Sequence, residues 1–173
     1  STAQAAPPTA ASAKPAKPPA WASKPSAATA KTAPVAARSV APRAVPKPPP
    51  PSGKGFLWPV QGRVVSNYGA KPKGFHNDGI NIAAPRGTPI NAAQNGVVVY
   101  AGNELRGFGN LLLIKHSNGW VTAYAHADKL LVQRGDKVGK GQKVATVGDT
   151  GSVTSPQLHF EIRKGKRPRD PKT

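Results

Sequence analysis

No cysteine occurs in the 173 residues. That excludes disulfides, thiolate metal sites and a thiol nucleophile, and it is compatible with an oxidising compartment. No apolar run approaches the ~20 residues that a membrane-spanning helix needs. No signal peptide is visible and the first residue is Ser, so the chain reads as a processed or truncated piece of a longer protein. Acid is missing from the first 54 residues, which carry eight Lys and Arg; all seven carboxylates lie from Asp78 onward. The whole chain carries +18, so the part after the tail keeps 18 − 8 = +10. Such charge favours an anionic partner, such as nucleic acid, an anionic membrane face or cell-wall polymer.

What is there divides in two. Residues 1–54 are built mainly from Ala, Pro, Lys, Ser and Thr, with 13 of the 20 prolines, including Pro48-Pro49-Pro50-Pro51 near the end. Proline removes backbone donors and fixes φ, so neither helix nor sheet runs through such a stretch. Few large apolar side chains offset the entropy of ordering. The expectation is a disordered, partly polyproline linker, semi-rigid and long. Trp21 is its only aromatic residue, read as an exposed ring rather than a docking residue.

Residues 55–173 change character. Short β-rich runs, 63–66, 80–82, 96–100, 111–115, 120–125, 143–147 and 158–162, are mostly bounded by Gly, Asn, Asp or Pro. Asn118-Gly119 between two strong runs predicts a hairpin turn with positive φ at both positions. The weak helical candidate spans Ala127 to Leu131. Many closely spaced strands predict an all-β, compact antiparallel sheet or sandwich, in one domain large enough to bury a core.

Several segments along this domain resemble one known family. They include Gly79-Ile80-Asn81-Ile82-Ala83-Ala84-Pro85, Gly107-Phe108-Gly109-Asn110, Tyr124-Ala125-His126, Thr150-Gly151 and Gln157-Leu158-His159-Phe160-Glu161. In order and spacing, residues 56–171 look like a LytM/lysostaphin-type zinc endopeptidase domain, of the duplicated hybrid motif fold, which cuts peptidoglycan cross-links. The run 100–110 resembles the NlpD and DipM branch of that group. The resemblance implies zinc held by a His and an Asp four residues apart and by the second His of a His-x-His pair. A catalytic zinc wants three N/O ligands and one open position for water, whose pKa it lowers.

Anchored on Gly79, the three ligand positions fall on Asn77, Asn81 and His159. Neutral amides supply neither the carboxylate nor the imidazole that zinc prefers. Of the two histidines that the resemblance assigns to water and oxyanion, His126 remains and the other position is Gln157. His76 is the one substitute ligand, brought inward only by a one-residue bulge; Asp78 stays out of phase.

The remaining candidates have plainer readings. His116 packs beside a turn. Glu161 forms an ion pair with a neighbouring Lys or Arg. Tyr68 lines the groove or packs. Lys164, Lys166, Arg167 and Arg169 form a solvated basic edge near an anionic wall, with no nucleic-acid motif.

The resemblance therefore implies a catalytically degenerate bacterial factor, periplasmic or at the cell envelope. It would bind peptidoglycan amidases or other wall hydrolases through a groove formed by Asn77, Asn81, His126, Gln157 and His159, and activate or recruit them in cell division. No cofactor is expected on that reading. The alternatives are an active zinc endopeptidase and a peptidoglycan-binding module without hydrolysis. The branch usually carries wall-binding LysM modules upstream, and the family continues briefly beyond residue 173.

Overall fold

A computed structural model describes residues 44–173. The tail up to residue 43, with Trp21, lies outside the described residues.

Twelve strands follow one another: β1 (Arg63–Ser66), β2 (Gly69–Ala70), β3 (His76–Asn77), β4 (Ile80–Ala83), β5 (Pro89–Asn91), β6 (Gly96–Gly102), β7 (Asn110–Lys115), β8 (Trp120–Leu130), β9 (Lys137–Val138), β10 (Lys143–Val147), β11 (Gln157–Lys164) and β12 (Arg167–Arg169). The main sheet runs β1-β4-β11-β8-β7-β6-β9, with β10 bridging β5 and β8 and β12 on β11. The ladders are antiparallel, as the alternating runs predict. β2 and β3 make a separate two-stranded ribbon. Three single 3-10 turns are the only helical elements among the described residues.

Alternation sorts the side chains by face. Ile80, Ile82, Tyr124, Leu158 and Phe160 are fully buried in the main core. The opposite face carries a smaller cluster of Leu111, Ala123 and Ala125, with Tyr100 and Leu113 against it. The β7–β8 connection is the expected Asn-Gly turn, with φ of 59° at Asn118 and 75° at Gly119.

The helix expected from Ala127 to Leu131 does not form. Ala127 to Leu130 continue β8, pairing with β10 at Val147, Thr146 and Ala145. Five residues without caps are too few to nucleate a helix, whereas β10 offers a ready ladder. The register shifts twice here. Asn110 faces Ala127 while Leu112 faces Tyr124, so β8 holds one extra residue opposite β7. That bulge places His126.

Gly79 joins β3 to β4. A Cβ there would collide with the backbone of Phe160 on β11. Only glycine lets the two segments approach so closely, and this approach brings β3 over the start of β11.

Candidate functional site

Register alone gathers four of the expected residues. His159 on β11 lies opposite Asn81 on β4, and Gln157 lies two residues earlier on the same face. The orientation of the amides follows from one backbone bond. Gly79 N–H donates to Asn77 Oδ1 at 3.1 Å, so Asn77 Nδ2 points the other way. It donates to Ser66 Oγ and to Asn81 Oδ1, both at 3.0 Å. Asn81 therefore turns Nδ2 to Gln157 Oε1, at 2.9 Å.

The same Asn81 Oδ1 accepts from His159 Nδ1 at 3.1 Å. The other ring nitrogen, Nε2, meets the Glu161 carboxylate at 2.8 Å. Both nitrogens of His159 thus face acceptors, and neither turns a lone pair to the groove. Arg163 Nε donates to Glu161 Oε2 at 2.6 Å and Nη2 to Asp78 at 3.2 Å. Burial raises the pKa of Glu161, but hydrogen bonds from His159 and Arg163 outweigh it and hold the carboxyl below its ordinary range. The expected ion pair of Glu161 with a basic neighbour is present, and His159 joins it.

His126 comes from the bulge in β8. Its φ is +63°, in the left-handed region where its Cβ crowds the following carbonyl, at a cost of about 1–3 kcal/mol. Nδ1–H donates to the Thr150 carbonyl at 2.8 Å, so in the neutral ring Nε2 is the acceptor. Burial lowers its pKa, the Thr150 bond opposes that and the nearby His159 charge adds to it. The two imidazole centroids stand 6.2 Å apart. Thr150 is pinned in turn: its hydroxyl donates to Ala127 O at 2.7 Å and accepts from Asn110 N–H at 3.1 Å. Asn110 Nδ2 ties down the Ala127 and Asp128 carbonyls.

His76 is not brought in. It is half-exposed, 3.0 Å from Asp78 and edge-on to Tyr68 at 5.5 Å. Tyr68 packs against the core, and its hydroxyl reaches Pro168 O at 3.4 Å. His116 lies buried, donating to Asn95 O at 2.7 Å with Thr122 Oγ1 at 2.8 Å on its other nitrogen.

The donor set does not fit zinc. The three expected ligand positions offer one imidazole and two amides, and those groups are bonded to one another. Among the described residues no three His, Cys, Asp or Glu side chains cluster in a way that could hold a metal. No step through zinc follows from these residues.

Beside the histidines opens a cavity of about 300 Å³. Leu105, Phe108, Leu111, Leu113, Val121 and Ala123 line it, together with Glu161 and Arg163. Phe108 links it to the site, its ring 6.2 Å from that of His159. Sequence reasoning missed this cavity, and gave Thr150, Asn110 and Ser66 no role in the site. Glu161 as a partner of His159 was within reach, because i and i+2 share a strand face.

The site thus places two histidines and three side-chain amides at one end of the central strands of an antiparallel β domain. The sequence pattern of Peptidase family M23 matches residues 75–171, and the chain belongs to that family. It is 51% identical over 113 residues to cell division protein DipM of Caulobacter vibrioides, covering 65% of this chain and 19% of DipM. It is 51% identical over 112 residues to murein hydrolase activator NlpD of Escherichia coli, covering 64% of this chain and 29% of NlpD. The chain thus spans under a third of either relative. A crystal structure of a zinc-containing peptidase from Vibrio cholerae superposes with a TM-score of 0.64 at 34% identity, over 69% of this chain and 40% of that one.

Proposed function

We propose that this chain is a catalytically degenerate M23 factor that binds a murein hydrolase, an amidase, and activates or recruits it during cell division. The observation that carries the reading is the position of Asn81. Its Oδ1 sits between Asn77 Nδ2 and His159 Nδ1, where a peptidase of this family would place a carboxylate on metal. A self-bonded amide network builds a stable groove rather than a Lewis-acid centre.

The neighbouring cavity supports a protein partner. Six apolar side chains suit an apolar anchor from a folded or folding segment better than a polar wall peptide. The printed names of NlpD and DipM, a murein hydrolase activator and a cell division protein, point the same way. The reading places the chain at the bacterial cell envelope, where murein lies. Activation needs only that the groove bind the partner's active state better than its inactive one.

The test is the rate at which a purified murein amidase releases dye from labelled murein, with and without this chain. Acceleration lost on His159→Ala supports the reading. An unchanged amidase with murein still bound makes the chain a plain murein binder. Murein cleavage by the chain alone, abolished by chelation, restores the peptidase reading.

A further inference from the structure

The end of the proline-rich tail is gripped by the domain. Ser52 N–H donates to Gln94 Oε1 at 2.7 Å, and Gln94 Nε2 donates to Gly55 O at 2.8 Å. Gln94 is only 4% exposed, so its amide depends on these two partners and on Asn95 N–H. Asn95 Nδ2 donates to Pro50 O at 3.0 Å. The Lys140 ammonium sits among three carbonyls, those of Ser52, Lys54 and Gly55, at 3.3, 3.4 and 3.3 Å. This segment curls because Gly53 and Gly55 take φ of 65° and 70°. Phe56 then docks edge-on against His116 at 5.7 Å and Trp120 at 5.4 Å.

We propose that residues 50–55 are a latch that fixes the direction in which the tail leaves the domain, at the end of the sheet opposite the groove. Trp120 begins β8, whereas His126 lies six residues along it, about 20 Å away at ~3.3 Å per residue. Four consecutive prolines, 48–51, run into the start of the latch and form a semi-rigid spacer. Latch and spacer together fix the direction in which the chain enters the domain, at the end of the sheet away from His126. Removing the latch takes away the partner of Gln94 Nε2 and leaves that buried donor unsatisfied. The inference does not depend on what the groove binds.

The chain lacks cysteine, so a nitroxide pair at Ala44→Cys and Lys129→Cys reports the geometry cleanly. Double electron–electron resonance on the full chain is expected to give one narrow distance distribution. Gly53→Val with Gly55→Val attacks the curl alone, because an added Cβ at either site meets nothing within 4 Å and only φ is strained. The expected result is a broad distribution, since a freed chain of a dozen residues spreads over roughly 20 Å. Lys140→Ala, which removes the centre of the carbonyl ring, is the second variant should the glycine pair fail to fold. A broad distribution in the parent chain overturns the latch. So does a distribution that stays narrow in the variants.

Discussion

Asn81 and His159 face one another across the β4–β11 ladder, with Oδ1 3.1 Å from Nδ1. The bond occupies the lone-pair direction that a metal would need, while Nε2 keeps a carboxylate partner in Glu161 at 2.8 Å. An imidazole braced by a carboxylate is the usual outer support of a metal-ligating histidine. Here the carboxylate support is present, and the other ring nitrogen meets the amide of Asn81, which is bonded in turn to Asn77.

That relationship makes zinc binding restorable. Asn77→His with Asn81→Asp would give two imidazoles and one carboxylate on a scaffold already shaped for them. Calorimetry at neutral pH is expected to show no stoichiometric zinc uptake by the parent and one zinc per chain in the double variant. Adding His159→Ala should abolish it. One-to-one binding by the parent, lost on His159→Ala, would falsify the assignment of the ligand positions.

Acid should destabilise the domain in two stages. Burial lowers the pKa of His116, against the Asn95 hydrogen bond, and burial also lowers that of His126. A histidine with a folded pKa below 6.5 binds its proton more readily when unfolded. Stability is therefore unaffected at high pH and falls as pH drops through 6.5 toward the lowered values. Glu161 has the opposite charge and a lowered pKa, so its contribution is complete above 4.5 and is lost below it. Thermal melting across pH 4–8 checks both stages. His116→Gln should flatten the upper one; an unchanged slope there would assign it to other groups.

Gly79→Ala tests the approach of β3 to β11. The added methyl runs into the Phe160 backbone, which cannot step aside as a flexible side chain can. A loss of about 1–3 kcal/mol is expected from such overpacking, seen as a lower denaturant midpoint. Gly119→Ala, whose Cβ meets nothing within 4 Å, isolates the φ effect. An unchanged midpoint in Gly79→Ala would show that the close approach to Phe160 relaxes at no cost, because Gly79 itself has no positive φ.

How much of this was legible in the sequence depends on the range of the forces. Leu158–Ile162 announces itself by alternation and Leu111–Ile114 by a short continuous apolar run, and both signals act locally. β5, β9 and β12 are two or three residues long and contain Pro or Lys, so only their ladder partners define them. Ala127–Leu130 looked helical because its local preference is weak and β10 decides. In the site, Asn77, Asn81, Gln157 and His159 are linked by side-chain hydrogen bonds, with the His126 ring 6.2 Å from that of His159; the grouping was expected from the family resemblance. Thr150 and Asn110 carry no local signal. Their roles arise from a bulge and a loop contact between residues 40 positions apart.

Phe108 offers the sharpest separation of binding from folding. It is 38% exposed, sits at the mouth of the apolar cavity and approaches His159. Truncating an exposed ring moves folding stability by about 0.5 kcal/mol. Losing an aromatic anchor at the centre of an interface costs about 2 kcal/mol or more, roughly a 30-fold change in affinity. Phe108→Ala should therefore leave the melting temperature nearly unchanged and raise the concentration for half-maximal amidase activation about 30-fold. Leu131, 50% exposed and outside the cavity, is the control, and Leu131→Ala should leave activation unaltered. Titrating both variants against a fixed amount of amidase gives the comparison. Equal activation by both would move the docking surface off this cavity while leaving the amide network in place, because Phe108 makes no hydrogen bond to it through its side chain.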